Sequence, residues 1–350
     1  MELNERIDAA LSVFLDRQAA VICDIDDRLG AYADAVRDFV LGGGKRLRPA
    51  FAYWGARGAG LADSAALVAC VSSLELLQAS ALMHDDLIDG SDTRRGAPSI
   101  HRRFASLHER EGWSGRAEDF GTAAAILLGD LCLAWSDELL CSAGMPVEAV
   151  AAARRDFDLM RTEVSAGQYL DVLSEVRRDV SEATAAKVAR YKSAKYTIER
   201  PLLVGAALAG AGERVRSHYS AIGLPLGEAF QLRDDVLGVF GDPAQTGKPA
   251  GDDLREGKHT FLIARAWAGA DAAQRSALDA NLGDPDLDVA GVERLRAVLL
   301  DTGALADTER RIESLAAEAE AALESSRPDV EPAALEVFAG LLVKAVKRDF

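Results

Sequence analysis

Apolar residues recur at helical spacing along almost the whole of this chain, and alternating apolar and polar runs of the kind a half-buried strand needs are scarce. That periodicity predicts an all-α protein. Residues 2–40 read as one or two amphipathic helices, broken by Gly42-Gly43-Gly44. A long helix is expected from Asp63 to about Asp89, with Asp63 or Ser64 as its N-cap. The polar stretch from Gly90 to Asp119 contains Gly90, Gly96, Pro98, Gly112 and Gly115 and is expected to be mostly loop. Helices are expected again over 120–142, 147–174, 182–210 and 214–240. A second Gly/Pro/Asp-rich stretch, Gly241–Gly257, precedes helices that run to Phe350, with breaks near 283–288 and at Pro328. Neither polar stretch separates segments of different composition. Residues 1–350 are therefore expected to form one domain, a helical bundle with two functional loops.

The 350 residues are 49% hydrophobic, ample for a substantial core, and that share comes mostly from Ala, Leu and Val, which suit close helix packing. There is no uninterrupted apolar run of the about 18 residues a membrane span needs. The first residues mix Glu2, Glu5, Arg6 and Asp8 with apolar positions, unlike a secretory leader. A cytoplasmic protein without a stable membrane anchor is expected. Cys23, Cys70, Cys132 and Cys141 lack metal-ligand spacing and read as small apolar residues. A net charge of −16 argues against nucleic acid as a partner and against simple attraction to anionic lipid. It would also repel an anionic substrate, so such a substrate would need local cations.

Two acidic clusters stand out because they sit inside apolar helical runs. In Asp85-Asp86-Leu87-Ile88-Asp89 the outer aspartates are four apart, so their carboxylates share a helix face roughly 6 Å apart along the axis. Like charges so placed repel, and a helix C-terminus disfavours anions further. A cation should offset that, and hard oxygen donors suit Mg²⁺, which takes one or two carboxylates and completes its shell with water and phosphate. The second cluster is Asp234-Asp235, with Gln231 before it and Gly238, Asp242, Asp252 and Asp253 after.

Cations flank both clusters. Gly42-Gly43-Gly44-Lys45-Arg46-Leu47-Arg48-Pro49 couples a pliable backbone to three positive side chains, a combination suited to an anion but with the wrong spacing for a nucleotide-binding P-loop. Arg94-Arg95-Gly96 follows the first acidic cluster, Lys192 lies in a helix, and Lys248 and Lys258 flank the second acidic loop. A site rich in both signs fits a metal-bridged diphosphate better than a bare anion.

These residues together resemble the trans-prenyl diphosphate synthase family, the polyprenyl synthetases. The matching motifs run in family order from Gly43 to Lys258: the Gly-Gly-Lys-Arg-Leu-Arg-Pro loop, Asp-Asp-Leu-Ile-Asp at 85–89, Arg94-Arg95-Gly96, Gly167-Gln168 with Asp171, Lys192-Ser193-Ala194, Gln231 ahead of Asp234-Asp235, and Gly247-Lys248-Pro249 with Gly251-Asp252-Asp253-Leu254-Arg255-Glu256-Gly257-Lys258. The resemblance implies an isoprenoid-synthase-type helical bundle with a central substrate cavity, a homodimer, and head-to-tail condensation of isopentenyl diphosphate with an allylic diphosphate. It implies three Mg²⁺ ions, two held by Asp85 and Asp89 with Asp86 in support, and one by Asp234 with Asp235 in support. Lys45, Arg48, Gln78 and Arg95 would bind isopentenyl diphosphate, position 78 often being His in the family. Arg94, Lys192, Gln231, Lys248 and Lys258 would hold the allylic diphosphate, and Gln168, Asp171 and Ser193 would stabilise the allylic cation.

The second acidic motif departs from the family pattern. A third aspartate is usual where Gly238 stands, and activity is expected to survive this change because the first aspartate is the one expected to touch metal. In the family, the side chains about one turn upstream of the first acidic motif form the floor of the elongation pocket, so the resemblance implies that they set product length. Ser80 and Ala81 are small there, so growth past fifteen carbons is expected, with Leu77 and Leu74 as the next stop and geranylgeranyl diphosphate as the product. The alternatives are a synthase of longer chains, a class I terpene cyclase or a regulatory synthase subunit. A cyclase would not need the Gly-Gly-Lys-Arg-Leu-Arg-Pro loop, and a regulatory subunit would tend to lose that loop or the aspartates.

Overall fold

The structure, a computed structural model, describes residues 2–241 and 251–346. They fall into two compact units, Met1–Tyr53 with Ala62–Ala151, and Trp54–Leu61 with Ala152–Phe350. Nearly all of both is helix, as the periodicity predicts.

In the first unit, α1 (Leu3–Ile25) and α2 (Gly30–Leu41) are separate helices joined by a 3₁₀ turn at Asp27–Leu29. After the glycine loop come α3 (Leu47–Gly58), whose residues from Trp54 on belong to the second unit, and the long α4 (Ala65–Ile88). Ser64 caps α4, its side chain accepting from the N–H of Leu67, while Asp63 pairs with Arg6 at 2.7 Å. Packed among α1, α2 and α6 (Ala117–Ser142), α4 is apolar almost all round and buries Leu67, Leu74, Leu77 and Met83. It is also the one described helix long and apolar enough to cross a membrane, with a mean hydropathy of 1.6 over 18 residues, yet 72% of that window is buried within the fold. Cys70 and Cys132 lie in this core, where burial pushes both thiols up to about 12.

The expected loop from Gly90 to Asp119 is a correction. It holds a two-stranded hairpin, β1 (Thr93–Arg94) and β2 (Ala97–Pro98), and a full helix, α5 (Ile100–Glu111). α5 is polar overall, but Ile100, Phe104, Ala105 and His108 fall on one buried face at helical spacing. Gly112 ends it in the left-handed conformation at φ +63°.

In the second unit, α7 (Val147–Arg177) is followed by α8 (Glu182–Val188) and then by a π-helix, Ala189–Glu199, where an ordinary helix over 182–210 was expected. Helix α9 (Arg200–Leu208) and the long α10 (Glu213–Phe240) come next. Three glycines let backbones meet around the π-helix: a Cβ at Gly167 of α7 would fall 2.5 Å from the Lys192 nitrogen, and Cβ atoms at Gly223 and Gly227 of α10 would fall 2.9 and 2.7 Å from the Cα atoms of Glu199 and Ala194. The rest comprises α11 (Asp252–Glu256), inside the expected Gly241–Gly257 loop, then α12 (Phe261–Gly269), α13 (Ala272–Asn281), α14 (Val289–Asp301), α15 (Ala304–Ser326) and α16 (Pro332–Val346). α10 is the spine of this unit, packed on α15, α16, α9 and the π-helix.

Candidate active site

In the first unit the cations of the glycine loop gather round a cavity of about 470 Å³ whose walls include Lys45, Arg48, Gln78 and Arg95, the four residues expected to bind one substrate. The loop and the β1–β2 hairpin bring the arginines in on strained backbone. Arg46 and Arg95 adopt φ of +49° and +54°, left-handed values that cost a non-glycine residue about 1–3 kcal/mol each. Contacts hold them there. Arg95 donates to the Gly43 carbonyl, and a Cβ on Gly44 would lie 3.1 Å from its guanidinium.

The three loop cations have different surroundings. Arg46 is only 3% exposed, with Nε 2.8 Å from Asp8 Oδ1, one terminal nitrogen 2.7 Å from Glu75 Oε2 and the other donating to the Val40 carbonyl. It is a buried tether joining α1, the loop and α4, not a ligand arm. Lys45 and Arg48 line the cavity. Burial lowers the Arg95 pKa, Glu75 acts against that, and the nearby Arg46, Arg94 and Arg48 lower it further. Gln78 contributes an amide oxygen that is buried with no hydrogen-bond partner. A buried polar group left unmet in a cation-lined cavity is the mark of a ligand position.

The first acidic motif ends α4. Gln78 and Asp85 are seven residues apart, two turns or roughly 10 Å along one helix face, and Asp89 lies one turn further. Between them Asp86 is 0% exposed, and Arg94 donates to its Oδ1 from Nε at 2.7 Å and again from a terminal nitrogen. That terminal nitrogen lies 3.8 Å from Asp85 Oδ2. Burial pushes the Asp86 carboxyl up, Arg94 opposes that, and Asp85 and Asp89 add to the rise. The arginine expected to steady a substrate is therefore folded onto the acidic motif. Ser80 is buried beside Leu74 and Leu77 on the same helix, and Ala81 is half-buried.

In the second unit, α7 presents Glu163, Gly167 and Asp171 in one stripe to the π-helix. Lys192 Nζ donates to Asp171 Oδ2 at 2.7 Å. Glu163 receives Arg200 Nε at 2.6 Å and Lys195 Nζ at 3.0 Å, and both cations together hold its carboxyl below its ordinary value against burial. The residues Lys192-Ser193 thus sit on a rigidly fastened π-helix, a form that often marks functional sites. Gln168 and Ser193 are half-buried. On α10, Gln231 donates to Asp235 Oδ1 at 2.7 Å, and burial pushes the Asp235 carboxyl up to about 8, with Asp253, Asp234 and Asp171 contributing. Lys258 pairs with Glu256 at 2.5 Å. Lys248 lies outside the described residues.

Among the described residues no three acidic, His or Cys side chains gather to hold a metal alone. The donor sets are oxygen-only and sparse: Asp85 with Asp89, and Asp234 beside the buried Asp235. They fit Mg²⁺, which leaves most of its shell to water and phosphate, and they do not fit a closed zinc site.

Residue positions missed in the sequence are Glu75, Glu163, the tether role of Arg46 and the partner of Arg94. An acid inside the apolar run of α4 was the available signal for Glu75.

A family model described as Polyprenyl synthetase matches residues 31–299. The chain is 34% identical over 273 residues to a geranylfarnesyl diphosphate synthase of Aeropyrum pernix, covering 77% of this chain and 79% of that one. It is 36% identical over 220 residues to a (2E,6E)-farnesyl diphosphate synthase of Mycobacterium tuberculosis, where the match spans 63% of this chain and 56% of the relative. In structure it is similar to a geranylgeranyl pyrophosphate synthase from Corynebacterium glutamicum, solved with isoprenyl diphosphate and magnesium, at a TM-score of 0.95, 38% identity and 100% coverage of both chains.

Proposed function

The chain belongs to the polyprenyl synthetase family and is a prenyltransferase, and on that premise we propose that it joins isopentenyl diphosphate head-to-tail to allylic diphosphates and releases geranylgeranyl diphosphate. The observation that carries this reading is the convergence of Lys45, Arg48, Gln78 and Arg95 on one cavity, with Asp85 and Asp89 further along the helix that bears Gln78.

In this reading the cavity cations hold the diphosphate of isopentenyl diphosphate by charge-assisted hydrogen bonds, and the Gln78 amide takes up one further contact. Asp85, Asp89 and Asp234 would hold three Mg²⁺ ions, with Asp86 and Asp235 in support. Bound Mg²⁺ supplies Lewis-acid stabilisation to the departing diphosphate. Lys192, aimed by Asp171, brings a positive charge to the same leaving group, where charge grows as the allylic carbon–oxygen bond breaks. The double bond of isopentenyl diphosphate attacks the allylic carbon, and the proton lost goes to the released diphosphate. Apolar walls such as Leu74 and Leu77 keep water from the cation. The small, buried Ser80 supports growth beyond fifteen carbons.

The two units are read as parts of one synthase domain, supported by a single family match across residues 31–299. A homodimer is part of the proposal, supported by Phe120, Ile126 and Leu127, large apolar side chains that α6 leaves 36%, 44% and 58% exposed. A cytoplasmic location is also proposed.

The test is a product assay with Mg²⁺, labelled isopentenyl diphosphate and each allylic starter in turn. A twenty-carbon chain is expected. A ladder of longer chains would discard the product while keeping the reaction, and no chain from any starter would discard the reaction.

A further inference from the structure

Lys195 and Arg200 are the two ends of one π-helical hydrogen bond: the Arg200 N–H donates to the Lys195 carbonyl, five residues back. Their side chains end on the same carboxylate. Glu163 of α7 accepts from Lys195 Nζ at 3.0 Å and from Arg200 twice, from Nε at 2.6 Å and from a terminal nitrogen at 2.8 Å. In an ordinary α-helix, residues five apart leave the axis about 140° from one another, on nearly opposite sides. The i→i+5 turn brings them round to one side. The two-cation grip of Glu163 therefore fits the π form of these residues and not their α form.

The grip is buried and braced. Arg200 and Glu199 are both buried, and Lys195 also reaches Glu199 Oε2 at 3.2 Å. Asp156 lies 3.8 Å from the Arg200 guanidinium and is itself held by Arg216 through two bonds of 2.9 Å. The same stripe of α7 fastens the other end of the π segment. Gly167, one turn on from Glu163, meets the Lys192 backbone, and Asp171, one turn further, accepts from Lys192 Nζ at 2.7 Å. Converting one turn from i→i+5 to i→i+4 bonding would rotate the residues ahead of it by about 100°, which turns Lys192 away from Asp171.

We propose that Glu163 is a positioning residue for the condensation, holding Ala189–Glu199 in its π form so that Lys192 is presented to the allylic diphosphate. This rests on the synthase reading above and on the role it gives Lys192. Glu163 acts through Lys195 and Arg200 on the backbone, and through the backbone on Lys192.

The test is made on the full chain with Glu163→Gln, which keeps the shape of the side chain and removes its charge. Hydrogen exchange read by mass spectrometry reports the backbone of residues 189–199, and steady-state kinetics with Mg²⁺ report the two substrates separately. Exchange over 189–199 should quicken while that of α4 stays as it is. KM for the allylic diphosphate should rise ~10-fold and kcat fall ~10–100-fold, with KM for isopentenyl diphosphate within ~2-fold of the unaltered protein. A purely structural role would lower the folded fraction, and kcat with it, and would move neither KM. Unchanged exchange over 189–199 overturns the proposal, as does an unmoved allylic KM. If Glu163→Gln does not fold, Lys195→Met, which breaks the grip but leaves the Arg200 pair, is judged by the same two measurements. An unaltered protein that builds no chain from any starter overturns the synthase reading instead, and the exchange measurement still decides whether Glu163 holds the π-helix.

Discussion

The guanidinium of Arg94, in β1, lies against the fully buried carboxylate of Asp86, Nε to Oδ1 at 2.7 Å. The middle aspartate of the first acidic motif is thereby paired inside the fold, while its neighbours Asp85 and Asp89 are only half-buried.

Arg94→Ala should therefore destabilise the protein by about 3 kcal/mol at neutral pH, the scale of a buried charge stripped of its partner. Burial already raises the Asp86 pKa, and losing Arg94 raises it further. The penalty should be absent at acid pH, where the carboxyl is protonated folded or unfolded, and should grow as pH rises through the unfolded value to the folded one. Urea unfolding of both proteins across about pH 4 to pH 8 checks this. Adding Asp86→Asn to the variant should remove most of the pH-dependent part.

Asp235 makes a second pH prediction of the same sign. Its carboxyl is held up at about 8, so the metal-free folded state keeps a proton that the unfolded chain has lost, and stability falls as pH rises from the ordinary carboxylate value towards 8. Asp235→Asn keeps the oxygen that accepts from Gln231 and removes the charge. It should melt at a higher temperature than the unaltered protein at pH 8 and at a similar one at pH 4. A lower melting temperature at pH 8 would contradict the burial argument.

Lys45 and Arg48 should separate from Arg46 in a single experiment. Lys45→Ala or Arg48→Ala should raise KM for isopentenyl diphosphate by about 10–100-fold, the worth of one charge-assisted hydrogen bond, with little change in melting. Arg46→Ala should instead unfold readily, losing about 3–5 kcal/mol because Glu75 is left buried and unpaired. Steady-state kinetics and calorimetry on the three variants measure both.

Ser80→Phe should shorten the product. Ser80 is 3% exposed on α4, one turn and a residue before Asp85, so an aromatic ring there shortens any pocket running down that face. Chromatography of the dephosphorylated products should show fifteen carbons replacing twenty. An unchanged product would remove Ser80 from the floor.

The parts of this fold that were legible in the sequence are those where one side chain acts through local spacing. Ser64 as the cap of α4, the shared face of Asp85 and Asp89, and the collection of cations in the glycine loop all follow from helical geometry and residue type. α5 was hidden because its polar composition outweighed a buried stripe of only Ile100, Phe104, Ala105 and His108. The π-helix was hidden because one widened stretch of eleven residues leaves no separate period in the apolar pattern. Partners distant in sequence were illegible for a different reason. Nothing in the order Lys45-Arg46-Leu47-Arg48 says that the middle cation turns inward to Asp8 and Glu75.

The inward turn of Arg46 makes the first helix more than a cover for the bundle. Asp8 stands near the start of α1 and contributes one of the two carboxylates that hold this arginine beside the cavity. A chain trimmed past residue 8 would keep every cavity-lining side chain of the glycine loop and still lose half the counter-charge of its tether. What would look like tidying a dispensable end would slacken the wall of the cavity from behind.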